Sequence, residues 1–232
     1  MDVELFTSLV WFGAFLFSTT VHEAMHALVA WKGGDPTAYL GGQVSLSPLP
    51  HIKREPIGML VVPLLTSLTQ GWAMGWASAP YDPLWAHRHP RRAAVMAAAG
   101  PAGNLLIAAV ALVALRVGLM AGWFLAPQHV SFDSLVEAVS PGGGFAAMLL
   151  SVLLVLNVFI GLFNLLPLPP LDGSAIVSVF LPDEYAERFR TLQSNPAMSM
   201  IGLLIAWKVF PLFTDSIFSL LLLLVHPHES YS

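Results

Sequence analysis

Two histidines and a glutamate stand together in "HEAMH", residues 22–26, inside a run that is otherwise apolar. His22 and His26 are four residues apart, so on a helix both imidazoles project from one face, one turn apart, and can reach a single ion. Glu23 lies beside them. His-Glu-x-x-His on a helix is the zinc-protease arrangement, in which neutral imidazoles bind Zn²⁺ and the carboxylate takes a proton from the water that the metal activates. A pair of core histidines bonded to neighbouring helices is the plainer alternative. However, three ionisable groups within five positions of a membrane helix each cost on the order of 3 kcal/mol to insert, and a metal site accounts for that cost.

A catalytic zinc commonly has three protein ligands and a water. The chain has no cysteine, so the third ligand must be a histidine or a carboxylate. Asp172, in "NLLPLPPLDG" (164–173), is the best placed: Pro167, Pro169 and Pro170 force a non-helical run after an apolar helix, at the same membrane depth as His22 and His26. Capping of the following helix is the alternative role for Asp172. Asp35 competes, but "GGDP" reads more simply as a turn in which Asp35 bonds its own backbone ahead of Pro36. Asn164 carries an amide suited to an oxyanion or to the substrate backbone, with inter-helix bonding as its alternative. Asn104 has the same two readings, and packing is favoured there because Ala99 and Gly103 form a small-residue pair four apart.

The elements that must position these groups are membrane helices. Hydrophobic residues make up 56% of the 232-residue chain and charged residues only 10%, with a mean hydropathy of +0.71, far from the composition of a soluble domain. Apolar stretches near 5–31, 92–126, 145–170 and 197–225 are each long enough to span roughly 30 Å of hydrocarbon. The first begins with acidic "MDVE" and is too long for a signal peptide. "PIGMLVVPLLTSLTQG", interrupted by Pro63, reads as a short or re-entrant helix protected by protein. "GGQVSLSPLPHI" (41–52) alternates Val44, Leu46 and Pro48 against Gln43, Ser45 and Ser47, a strand pattern. Its exposed edge would pair with an extended substrate, or it forms a surface hairpin at the interface. The expected fold is an all-α polytopic membrane protein, one domain over 1–232, with about four full spans, the short helix and a small β-hairpin near the active site.

"HIKRE" (51–55), "HRHPRR" (87–92) and "ERFR" (187–190) fall on one side of such a bundle, which the positive-inside rule makes cytoplasmic, with both termini outside. Arg116, deep in the second span, either snorkels or faces protein. His51, His87, His89, His129, His226 and His228 read as solvated. Residues 183–196 read as a charged helix at the membrane surface. A net charge of −4 suggests no nucleic-acid partner.

With "HEAMH", "AAAGPAGNLL" (97–106) and "NLLPLPPLDG" in that order on three apolar segments, the chain resembles the site-2 proteases, intramembrane zinc metalloproteases, and most closely their short form without PDZ or CBS domains. The resemblance implies one zinc held by His22, His26 and Asp172, with Glu23 as the base. It implies substrates that are transmembrane proteins, cleaved in or beside their membrane segments. We expect a multi-pass protein of a bacterial plasma membrane with its active site towards the cytoplasm. "GWAMGWASAP" (71–80) departs from the pattern, with Met74 and Gly75 where relatives often carry Lys-Pro. Two other classes remain open. A metal-ion transporter would spread its polar groups along a path or between repeats, whereas these converge at one depth. A proteolytically inactive client-binding protein would have lost the glutamate or a ligand, and none is lost.

Overall fold

The computed structural model describes residues 3–182, 185–186, 195–229 and 231. Most of the charged segment 183–196 lies outside the described residues.

Helix α1 (Val3–Lys32) opens with Glu4 in its first turn and closes with Lys32 in its last, both matched to the helix dipole. It stops at Gly33–Gly34, where Gly34 takes a φ of 99° that a side chain would resist. Its hydroxyl-bearing turn is satisfied internally, Thr19 donating to Phe15 O at 2.8 Å and Thr20 to Leu16 O at 2.7 Å, as a lipid-embedded helix requires. Short helices α2 (Thr37–Leu40) and α3 (Pro48–Arg54) follow, then α4 (Ile57–Gln70), an apolar helix too short to count as a span, and α5 (Pro83–Arg88). The two remaining full-length spans are α6 (Pro90–Met120) and α7, which runs over Gly144–Asn164. After α8 (Asp172–Ser178) come α9 (Pro196–Val209) and α10 (Pro211–Val225), bent by 51° at their junction, so the fourth apolar stretch is not one straight helix. Pro211 starts the second half at the bend. The chain is a multi-pass membrane protein with a mostly helical fold.

Between lipid-exposed helices there is little hydrophobic drive, so close packing and buried polar bonds must hold the bundle. One apolar cluster joins α6, α7 and α10 through Leu115, Leu154, Val155 and Val225; another seats Trp11 and Phe15 of α1 against Val152 and Leu156 of α7. Gly103 lets α6 approach α1: a Cβ there would lie 3.0 Å from Met25 Cγ, as the small-residue spacing predicts. Arg116 faces protein, donating to Val225 O at 2.9 Å at the C-terminal end of α10.

At one end of the bundle Arg92 donates to Gly33 O at 3.1 Å, joining the start of α6 to the end of α1. At the other, Phe6 meets Phe145, and His226 bonds Leu135 O at 2.7 Å. The basic loop 87–92 and the described ends of the chain, near Phe6 and His226, therefore sit at opposite ends.

Three expectations change. Residues 41–47 form turns and 48–54 a helix, not a strand: Ser47 accepts from Leu49 N and Pro48 and Pro50 occupy a first turn that tolerates proline. The β-hairpin pairs β1 (Phe124–Leu125) with β2 (Glu137–Ala138), beyond the C-terminal end of α6 and away from "HEAMH". His51 and His226 are buried rather than solvated, because the 41–47 turn and the 127–138 loop fold over them; His51 bonds Ser45 O at 3.1 Å.

Candidate metal centre

His22, Glu23 and His26 lie in the last three turns of α1 and are all buried, at 6%, 5% and 6% exposure. The segment after α7 brings a fourth group to them. Its prolines keep residues 167–170 out of helix, and Gly173 lies so close to the carbonyls of Leu165 and Leu166 that a Cβ would collide with both. This folds α8 back against the end of α7 and presents Asp172 at the first position of α8, with Leu171 as N-cap. Asp172 is thus not the cap, and Ser174 is bonded instead to Leu171 O.

Asp172 Oδ2 stands 3.2 Å from His22 Nε2 and 3.4 Å from His26 Nε2, and the two Nε2 atoms are 2.9 Å apart. A triangle with these edges has its corners about 1.8 Å from its centre, so an ion at zinc bond lengths of roughly 2.0–2.2 Å fits just off its plane. The donor set suits a cation in other ways. Asp172 Oδ2 and Glu23 Oε2 are both buried without a hydrogen-bond partner. Gly100 of α6 faces the cluster, where a Cβ would lie 2.6 Å from His22 Nε2. His26 Nδ1 meets Met96 O at 2.7 Å; a carbonyl only accepts, so Nδ1 bears the hydrogen and Nε2 offers its lone pair to the cluster.

Behind His22 lies a polar chain. Its Nδ1 is 2.6 Å from Asn104 Oδ1, Asn104 Nδ2 donates to Asn157 Oδ1 at 2.8 Å and to Ser18 O at 3.3 Å, and Asn157 Nδ2 donates to Ser18 Oγ and Leu153 O, each at 2.9 Å. Asn104, Asn157 and Ser18 are all fully buried. Asn104 is therefore neither a substrate-facing group nor simply packing: it backs a candidate ligand. Asn157 and Ser18 escaped the sequence reading, although a lone amide in "VLLVLNVFIGLF" carries an insertion penalty of the same kind, if smaller, as the one that singles out "HEAMH". Asn164 donates to Ile160 O on its own helix at 3.0 Å, and no bond joins it to the cluster among the described residues.

Asp35 makes the expected turn. Its Oδ1 accepts from Thr37 N at 3.0 Å and Thr37 Oγ1 at 2.5 Å, and Oδ2 accepts from Asp82 N at 2.8 Å. Burial raises its carboxyl pKa, but these bonds outweigh that and leave it below the ordinary value. It holds two loops together and is no part of the cluster.

Fold and site together define a membrane-embedded metallohydrolase. The sequence profile of Peptidase family M50 matches residues 10–209, and the chain belongs to that family, the site-2 proteases; it is a zinc metalloprotease. "Putative zinc metalloprotease YwhC" of Bacillus subtilis is 30% identical over 225 residues, covering 91% of this chain and 90% of that protein. "Putative zinc metalloprotease Rip2" of Mycolicibacterium smegmatis is 31% identical over 172 residues, covering 73% of this chain and 56% of the relative. The Mycobacterium tuberculosis protein of the same name is 32% identical over 169 residues, covering 73% and 56%. No solved structure matches the chain.

Proposed function

We propose that this protein is an intramembrane endopeptidase that cuts membrane proteins in or beside their transmembrane segments, using one zinc held by His22, His26 and Asp172 with Glu23 as general base. The observation that carries the reading is the convergence of two imidazoles and a carboxylate on a buried point of a membrane-spanning helix, with a second unpartnered carboxylate beside them. Bound zinc supplies a Lewis acid and lowers the pKa of water towards about 7.

The chain's own groups supply the rest. His22 and His26 project from one face of α1, and Asp172 arrives from α8 to close the triangle. Glu23 takes the role of accepting a proton and returning it to the leaving amine, a reading supported by its adjacency in sequence to His22 and by a buried carboxylate oxygen without a hydrogen-bond partner. Ordinary proteases work in water; here the apolar surroundings strengthen each electrostatic contact the site makes. The basic loops lie at the end of the bundle where α1 terminates, which supports an active site facing the cytoplasm of a bacterial cell.

The test is cleavage of single-span membrane proteins by the purified chain, followed by mass spectrometry of the products. Cuts are expected within or beside the spans, lost with chelator and lost in Glu23→Gln while that variant still binds zinc. Cleavage that survives in Glu23→Gln, or that falls only in soluble unfolded chains, overturns the proposal.

A further inference from the structure

We infer that Asn157 is a positioning residue that fixes the tautomer of His22 through Asn104, so that the ring presents a lone pair, and not a hydrogen, to the metal cluster. The inference rests on the reading of His22 as a ligand, and it follows from which atoms can only accept. Leu153 O and Ser18 O are backbone carbonyls with no hydrogen to give. The Asn157 atom facing Leu153 O at 2.9 Å must therefore be the amide nitrogen. That turns Oδ1 of Asn157 towards Asn104, where it accepts at 2.8 Å. The Asn104 atom facing both Asn157 Oδ1 and Ser18 O must then be its nitrogen, which leaves Oδ1 of Asn104 against His22.

An amide oxygen cannot donate, so His22 Nδ1 carries the ring hydrogen and Nε2 is bare. Reversing either amide sets oxygen against carbonyl oxygen, in a region with no exposure to supply a correcting water. The relay crosses the three full-length spans, from α7 through α6 to α1. The two histidines differ in this respect. His26 is set directly by the backbone carbonyl of Met96, whereas an amide, which has one accepting and one donating end, needs an anchor to be a reliable acceptor. Asn157 Oδ1 provides the shorter of its two anchors, at 2.8 Å against 3.3 Å for Ser18 O, and is itself held by Ser18 Oγ, which accepts the second hydrogen of Asn157 at 2.9 Å.

The full chain, purified metal-free with ¹⁵N-labelled histidine, reports the tautomer of each neutral ring by NMR, and competition against a chromophoric chelator reports Zn²⁺ affinity. Asn157→Leu, alike in branching but unable to hydrogen-bond, removes the shorter of the two acceptors that hold the Asn104 amide and leaves only Ser18 O at 3.3 Å, which loosens its orientation. His22 should then populate the Nε2–H form and zinc binding should weaken roughly 10- to 100-fold, while His26 keeps its form. In Asn157→Asp, a protonated carboxyl can still donate to Leu153 O and accept from Asn104, so tautomer and affinity should stay within a few-fold. A packing role predicts the opposite order, with leucine tolerated and the buried acid not. An unchanged His22 tautomer in Asn157→Leu overturns the relay; if that variant does not fold, a switch to Nε2–H in Asn157→Asp does so. Zinc binding that persists in His22→Ala would instead sink the ligand assignment, since the tautomer measurement needs no metal.

Discussion

Gly100→Ala tests the metal centre from the side that carries no ligand. Gly100 lies in α6 where that helix crosses α1, and a Cβ added there would stand 2.6 Å from His22 Nε2 and 2.6 Å from His26 Cε1. Carbon needs about 3.5 Å or more, so the rings would have to withdraw by roughly 1 Å. Metal–ligand bonds tolerate about 0.2 Å, so the displacement exceeds what the site can absorb about fivefold. Withdrawal is opposed, because the far side of each ring is tied to α6 itself, His22 to Asn104 and His26 to Met96. The expected result is a folded protein destabilised by about 1–3 kcal/mol, as for overpacking elsewhere, that holds little zinc and does not cleave. Elemental analysis of purified protein beside thermal melts reads both effects. Gly13→Ala, with nothing within 4 Å of the new carbon, is the control and should keep its metal. Full zinc occupancy and native stability in Gly100→Ala would show that the imidazoles do not face this helix, and the geometry of the centre would have to be abandoned.

Three further predictions concern the acids and the topology. Asp172→Ala should lower bound zinc and abolish cleavage, whereas Asp35→Ala should keep its metal but lose on the order of 1–3 kcal/mol of stability by stranding Asp82 N and Thr37; the opposite pattern by metal analysis would exchange the two assignments. Because Asp35 titrates below the ordinary carboxylate value when folded, its contribution is fully present above that ordinary value and is lost as pH falls through the folded one. The stability gap between the parent and Asp35→Asn, from melts between pH 3 and 7, should therefore close only at the acid end. Cysteines placed at Arg91 and His228, both exposed and at opposite ends of the bundle, should be labelled from opposite faces of the membrane; labelling from one face would refute the threading of the spans.

What could be read from the sequence was whatever a helix encodes in its own periodicity. The 22–26 spacing puts both imidazoles on one face wherever α1 sits, and the prolines before Asp172 stop α7 regardless of its neighbours. The failures share a cause. The alternation over 41–47 has period two, but Ser47-Pro48 is equally a helix start, and a few residues cannot separate those meanings until the turn has folded over His51. His226 looked solvated because it adjoins a polar terminus; its partner is a backbone carbonyl 91 residues earlier, and carbonyls leave no mark in a sequence. Met96 O behind His26 is hidden for the same reason. Asn157 differs, since its partners include side chains and its type is conspicuous in an apolar span. A neutral amide costs less to insert than the ionisable groups of "HEAMH", but the same cost weighed evenly along the apolar run of α7 singles out Asn157 from the sequence alone.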